Sequence, residues 1–191
     1  METPEQYRSL SDEELFELLR GNNDLSAFAV LYERYSRNVY TYCLKMLGNK
    51  MEAEDLYQDI FLRMYDYRHS FRGGSFANWL FTIARTQCLN QIRQRKHTVD
   101  ETILEEMRFA VSPTWEESLL LREQIDQALQ QLPESFREVI ILRFYQDLSF
   151  AEIAERLGIS VSLAKVRNFR ALQMLRKLLA PILKEYRYDK G

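Results

Sequence analysis

Between Glu54 and Lys96 the chain holds two long helical repeats separated by Gly73-Gly74, and the two carry opposite chemistry. In the first, Ala53, Leu56, Tyr57, Ile60, Phe61 and Met64 recur at the interval that places them on one stripe of a helix. Asp55, Gln58, Asp59, Leu62 and Asp66 fall on the other side. That side is acidic, with a lone exposed Leu at its centre. From Phe61 to Lys96 the balance reverses: Arg63, Arg68, Arg72, Arg85, Arg93, Arg95 and Lys96 stand against Asp66 alone. Seven minus one is +6, in a chain whose total is −2. An apolar stripe must be covered by other elements, so the segment demands a helical bundle. The bundle then shows an acidic face and a basic, aromatic-rich surface side by side.

Composition agrees with an all-α chain. Hydrophobic residues make up 46% of the 191, enough for a core, and 6 Gly and 4 Pro leave room for long helices. The net charge alone argues against a nucleic-acid binder, but its distribution does not. Met1–Ile60 has 12 acidic and 6 basic residues, Asp100–Asp126 has 8 and 2, and Ser160–Gly191 reverses to 2 and 8. The basic blocks can act as local patches. Cys43 and Cys88 lie within helical patterns without Cys-x-x-Cys spacing, and read as buried free thiols in a reducing compartment. No basic-then-apolar leader and no apolar run of about 18 residues occurs. The expectation is a soluble, cytoplasmic protein without a membrane span.

In chain order, Met1–Leu10 reads as a poorly ordered lead-in. Ser11-Asp12-Glu13-Glu14 is a capping box opening a helix with Leu15, Phe16, Leu18 and Leu19, expected to stop at Gly21. Ser26 is expected to cap the next helix, whose stripe is Phe28, Leu31, Tyr32, Tyr35, Val39, Tyr42, Cys43 and Met46, ending at Gly48-Asn49. Its tyrosines share that stripe with Phe, Leu and Met, which favours packing over a cofactor site. Ser75 caps a long helix over Phe76–Lys96. The pattern then fails, and 97–113 reads as a flexible linker between a domain at 1–96 and a second at 114–191. There, Leu119, Leu120, Ile125 and Leu129 give a helix ended by Leu132-Pro133, and Phe136, Val139, Ile140, Leu142 and Phe144 give another. A second capping box, Ser149-Phe150-Ala151-Glu152, opens a helix that breaks at Gly158. Ser160 caps its successor. This is helix-turn-helix spacing, with Ile153, Ala154 and Leu157 packing inward and Ile159 plugging the corner. In the last helix Lys165, Arg167 and Arg170 are expected outward, and Leu163, Val166, Leu172 and Leu175 inward.

Two stretches resemble a known family. DLYQDIFLR followed by SFRGGSFANWLFTIARTQCLNQIR is similar to region two of the extracytoplasmic-function sigma factors. These are small promoter-specificity subunits of bacterial RNA polymerase. LPESFREVIILRFYQDLSFAEIAERLGIS resembles region four of the same family. The two stand in the right order, and together they cover most of the span from Ser26 to Leu178. The resemblance implies that Asp55, Gln58, Asp59, Leu62 and Arg63 dock on the clamp helices of the polymerase's largest subunit, with the flap as a further contact. It implies capture of the minus-ten strand by Phe71, Arg72, Gly73, Gly74, Ser75 and Phe76 together with Asn78, Trp79, Arg85, Thr86, Asn90 and Arg93. It implies reading of the minus-thirty-five duplex by Ser160, Ser162, Leu163, Lys165, Val166, Arg167, Phe169 and Arg170. It also implies an anti-sigma factor or other regulatory protein as a partner. For the linker it implies that Asp100, Glu101, Glu105 and Glu106 follow a basic channel later taken by nascent RNA; a solvated tether is the other reading.

The residues support these roles chemically. Promoter opening is favoured by a protein that binds the displaced strand, which needs apolar platforms, closely approachable backbone and phosphate-binding cations. Residues 71–76 supply all three, and Arg85, Thr86, Asn90 and Arg93 share one side of the following helix. Trp79 lies on the stripe of Phe76, Leu80 and Ile83, where core packing and strand contact are both open to it. Two positions depart from the family pattern. Thr86 stands where relatives often carry Asn. Ser162-Leu163 stands where the recognition helix often opens with Gly-Thr or Ser-Thr; Leu163 forms no hydrogen bond to a base but can touch a thymine methyl. No consensus promoter is therefore carried over from relatives. A stand-alone helix-turn-helix regulator would explain Ser149–Leu178 but leave the acidic face and the Phe71–Phe76 loop idle. An enzyme is disfavoured: His69 and His97 are the only histidines, and neither an H-E-x-x-H motif nor a Walker glycine loop occurs. No metal site and no cofactor are expected.

Overall fold

The computed structural model describes residues 4–99 and 116–188, and among these the secondary structure is helical, without strands. The chain divides into two compact units, Met1–Gln91 and Ile92–Gly191. The first holds α1 (Pro4–Arg8), α2 (Asp12–Asn22), α3 (Leu25–Leu47), α4 (Lys50–Asp66) and most of α5 (Phe76–Val99). The second holds α6 (Glu116–Gln130), α7 (Glu134–Phe144), α8 (Phe150–Leu157) and α9 (Val161–Tyr188). Helix α5 runs three residues past the expected end at Lys96, and the rest of the expected linker lies outside the described residues.

Within the expected lead-in Pro4–Arg8 forms a helix, and the first three residues lie outside the described ones. Tyr7 is buried, and its hydroxyl donates to Asp24 Oδ2 at 2.7 Å. Arg34 on α3 pairs with Asp12 at 2.5 Å and donates to the carbonyls of Arg8 and Leu10, each at 2.9 Å. These contacts span up to 26 residues of sequence, which local patterning does not register.

The capping box at Ser11 forms as expected, with Glu14 Oε2 accepting from the Ser11 backbone N–H at 2.7 Å. The helix it opens runs through Gly21 and ends at Asn23, in the left-handed region at φ 53°. Asn tolerates that conformation, so the stop falls two residues late. Asp24, not Ser26, caps α3: its Oδ1 accepts from the N–H groups of Ser26 and Ala27 at 2.9 and 3.2 Å. The carboxylate also complements the positive helix N-terminus, which a hydroxyl two residues later would not. Donation from Tyr7 comes first among the causes that hold the Asp24 carboxyl below its ordinary range.

The core of the first unit is built from Leu15, Phe16 and Leu19 of α2, Leu31, Val39 and Tyr42 of α3, Ile60 and Met64 of α4, and Phe76 and Leu80 of α5. Cys43 and Cys88 are buried there as thiols, with the Cys88 Sγ–H directed to Cys43 Sγ at 3.8 Å. Tyr32 and Tyr57 depart from the expected packing. Tyr32 is exposed, Tyr57 is half-buried, and they join Phe28, Tyr40 and Phe61 in a run of ring contacts along the α3–α4 seam.

In the second unit Leu129, Leu132, Ile140 and Ala171 form one core cluster, flanked by Ile125, Phe136, Met174 and Leu175, and Val139, Ile141, Leu142, Ile153 and Ala164 are also buried. The buried Arg137 guanidinium donates to the Gln130 and Leu132 carbonyls at 2.6 and 3.1 Å, satisfying the end of α6. The second capping box forms, with Glu152 Oε2 accepting from the Ser149 N–H at 2.7 Å. Gly158 closes α8 at φ 63°, and Ser160 Oγ accepts from the Leu163 N–H at 3.1 Å to open α9.

Candidate protein-docking and nucleic-acid interfaces

Helix α4 buries Ala53, Leu56, Ile60, Phe61 and Met64, which turns the opposite side to solvent. Asp55, Gln58 and Asp59 are exposed there, and Leu62 is 63% exposed at the centre of that face. Arg63 sits half-buried at its edge. A large apolar side chain ringed by acids, with its own helix fully packed underneath, has the composition of a protein-binding spot.

The loop after α4 divides differently from the expectation. Arg72, Gly73, Gly74 and Ser75 are exposed, but Phe71 is only 4% exposed and Phe76 is fully buried. The Phe71 ring meets Phe16 edge-on at 5.2 Å and Trp79 at 5.5 Å; Phe76 lies 4.8 Å from Phe16. Neither phenylalanine offers a free ring face to a base. They are anchors that fix the two ends of the loop, and this corrects their expected role as stacking platforms. Trp79, half-buried, contacts Phe16, Phe71 and Phe76, which places much of its ring in the core.

Two residues of α2 hold this loop, and the sequence did not single them out. Arg20 Nη1 donates to the Phe71 carbonyl at 3.0 Å, and Glu13 Oε1 accepts from the Phe76 N–H at 3.0 Å. They lie 51 and 63 residues from their partners, so no local pattern could reveal them. Ser75 Oγ accepts from the Asn78 N–H at 3.2 Å, so α5 is capped both by its own Ser and by Glu13. Gly73 and Gly74 adopt φ 94° and 89°, and a Cβ at either would meet nothing within 4 Å. The requirement for glycine is therefore conformational, and the backbone there stands open to a close approach.

Along α5, Arg85 is half-buried, and Thr86, Asn90 and Arg93 are exposed. Thr82 Oγ1 donates to the Asn78 carbonyl and Thr86 Oγ1 to the Thr82 carbonyl, both at 2.8 Å. The Thr86 proton is thus committed to its own helix, and the hydroxyl presents acceptor lone pairs outward.

In the second unit α8 and the start of α9 form the expected helix-turn-helix. Ile153 and Ala154 are buried, and Leu157 and Ile159 are half-buried. Of the residues of α9 expected inward, Leu175 packs against the core and the other three do not. Ala164 and Ala171 are fully buried, whereas Leu163, Val166 and Leu172 are exposed. Small side chains let α9 lie close against its neighbours, and leave Leu163, Val166 and Leu172 on other sides of the helix. Ser162, Lys165, Phe169 and Arg170 are exposed as well, and Arg167 is half-buried. Ser160 is used as the cap.

Comparison with known proteins places these two units. Residues 31–98 match the model for sigma-70 region 2, and residues 122–175 match that for sigma-70 region 4. The chain is 34% identical over 169 residues to the ECF RNA polymerase sigma factor SigW of Bacillus subtilis, covering 82% of this chain and 90% of that one. It belongs to the extracytoplasmic-function sigma factors. SigM of the same organism is 32% identical over 152 residues, covering 78% of this chain and 92% of that one. Among solved structures, the sigma factor RpoE in complex with the anti-sigma factor NepR, from Bartonella quintana, aligns at a TM-score of 0.65 and 29% identity, over 80% of this chain and 96% of that one. The structure of CnrH in complex with the cytosolic domain of CnrY shares the fold, at a TM-score of 0.69 and 22% identity, over 90% of this chain and 99% of that one. Sigma factors are specificity subunits without catalytic activity of their own, so this one is not an enzyme. Among the described residues no helix is long and apolar enough to cross a membrane.

Proposed function

We propose that this sigma factor joins core RNA polymerase through α4 and directs initiation at promoters read by two separate surfaces. Asp55, Gln58, Asp59, Leu62 and Arg63 bind the clamp helices of the largest subunit. Arg72, Gly73, Gly74 and Ser75, with Asn78, Arg85, Thr86, Asn90 and Arg93, take the unpaired minus-ten strand. Trp79 contributes only the part of its ring left uncovered. The exposed start of α9 reads the minus-thirty-five duplex, with region four also touching the flap. The observation that carries this reading is the segregation within region two: an exposed Leu62 among acids on α4, and an exposed cationic glycine loop pinned to α2. Phe71 and Phe76 act here by holding the loop.

The work takes place where the polymerase is, in the cytoplasm. Since RpoE of Bartonella quintana is held by an anti-sigma factor, a regulatory protein that masks these same surfaces is the expected partner. A stand-alone helix-turn-helix regulator leaves the α4 face unused, and nothing in the geometry favours it. The test is transcription reconstituted from purified chain, its own core polymerase and fragmented genomic DNA. The expected result is a small set of discrete start sites that vanish without the chain. Discrete DNA binding by the chain alone, with no affinity for core polymerase, would overturn the proposal.

A further inference from the structure

The outward face of α9 is more apolar than a hydrogen-bonding base reader requires. Val166 is 44% exposed and Phe169 is 61% exposed, with Leu163 beside them. Ser162, Val166 and Phe169 lie in line at i, i+4 and i+7, and the rise from Ser162 to Phe169 is about 10 Å. That length faces about three base pairs at 3.4 Å each. Hydrogen-bonding capacity along the line is sparse. The Ser160 hydroxyl accepts from the Leu163 N–H at the helix start and lies off the line, and Arg167 is half-buried on the flank. Ser162 stands at one end of the line, the exposed Gln173 continues it one turn beyond Phe169, and Lys165 and Arg170 lie to either side.

In the major groove the thymine C5-methyl is the apolar group on offer; guanine and cytosine present O6, N7 and N4, which apolar side chains would cover without answering. The flanks say which macromolecule this face meets. Lys165, Arg170, Arg176 and Lys177 are exposed, and no Asp or Glu occurs between Val161 and Lys184. A cationic border around an apolar line suits a groove walled by phosphates. We infer that α9 selects its duplex mainly through thymine methyl groups, with Val166 and Phe169 as the specificity-determining side chains and the flanking cations holding phosphates. This rests on the reading of α9 as the duplex-binding helix.

The experiment uses holoenzyme assembled with native core polymerase. It selects from duplexes randomised across the upstream element, then remakes the selected duplex with deoxyuridine replacing each thymine in turn. The expected element carries two or more thymines, on either strand, within three consecutive base pairs. Removing one contacted methyl weakens binding about three- to fivefold. Val166→Ala and Phe169→Ala each weaken the thymine duplex by about the same factor and erase the thymine–uracil difference at one position. Both side chains are exposed, so the variants fold, and circular dichroism checks this. An element without thymine, or equal binding of thymine and uracil duplexes, overturns the inference and leaves α9 as the duplex reader. No enriched upstream element at all overturns that earlier reading too. Variants that bind every duplex normally but lose a protein partner assign the apolar line to that partner and also overturn the inference.

Discussion

Replacing Phe71 by Ala separates an anchor from a stacking platform. The ring is 4% exposed, packed between Phe16 and Trp79, and sits where Arg20 grips the Phe71 carbonyl. Truncating a buried Phe removes its transfer energy and leaves a cavity, together about 3–5 kcal/mol. Helix α2 and the body of α5 close over this spot and give it little freedom to collapse, so about 4 kcal/mol is expected. At about 4–8 °C per kcal/mol for a domain of this size, the melting temperature of the first unit should fall by more than about 10 °C. The assay is thermal unfolding of the full chain followed at 222 nm. Arg72→Ala runs beside it and should leave the melting temperature unchanged, because Arg72 is exposed. On single-stranded minus-ten DNA, held below the melting point of both variants, the order reverses: Arg72→Ala loses affinity and Phe71→Ala loses less. An unchanged melting temperature for Phe71→Ala with complete loss of strand binding would refute the reasoning, since the ring would then act on the base.

Other outcomes follow from the same geometry. Asp55→Lys combined with Asp59→Lys should weaken core-polymerase binding by about 2–4 kcal/mol in a competition assay while helicity is kept. Glu13→Ala removes a charged acceptor from the N-terminus of α5 and should cost about 1–2 kcal/mol of stability by denaturant titration. It should also slow promoter opening by loosening the loop. Gly158→Ala, at φ 63° with open space around the added carbon, should cost about 1–2 kcal/mol through backbone conformation alone. The carboxyls of Glu14, Asp24 and Glu152 are held below their ordinary values, chiefly by bonds from Ser11, Tyr7 and Ser149. Their contribution is present above the unfolded-state values of 4.5 and 3.8 and is lost as pH falls through the lower folded-state values. Melting temperature should therefore drop below about pH 4.5, and less steeply in Glu152→Gln.

The parts of the fold that local chemistry writes were legible. Both capping boxes, the left-handed Gly48 and Gly158, and the packed stripe of α4 each depend on residues within a turn or two of one another. The misses came where another element decides. Asp24 takes the α3 cap from Ser26 because Tyr7 and the helix N-terminus both favour a carboxylate there. In α9 Leu and Val stand on several sides of the helix, so apolar residue type alone does not single out the packed side. The close approach of neighbouring helices selects the side of Ala164, Ala171 and Leu175, where two small residues make a weaker apolar signal than the exposed Leu163, Val166 and Leu172. Of the candidate site, the exposed face of α4 and the open Gly73-Gly74 turn could be read from spacing and charge. The burial of Phe71 and Phe76 could not, because it depends on Phe16, more than 50 residues away.

The division of labour between the two DNA-binding surfaces is tested most directly by permanganate reactivity of unpaired thymines. It is measured beside holoenzyme affinity, on duplex promoter and on a template already open at minus ten that lacks the upstream element. Arg170→Ala should weaken binding to the duplex and reduce its salt slope by about one, yet behave as wild type on the opened template. Arg72→Ala should keep initial duplex binding but lose both thymine reactivity and affinity for the opened strand. Identical failure of both variants on both templates would contradict the assignment of duplex reading and strand capture to separate halves of the chain.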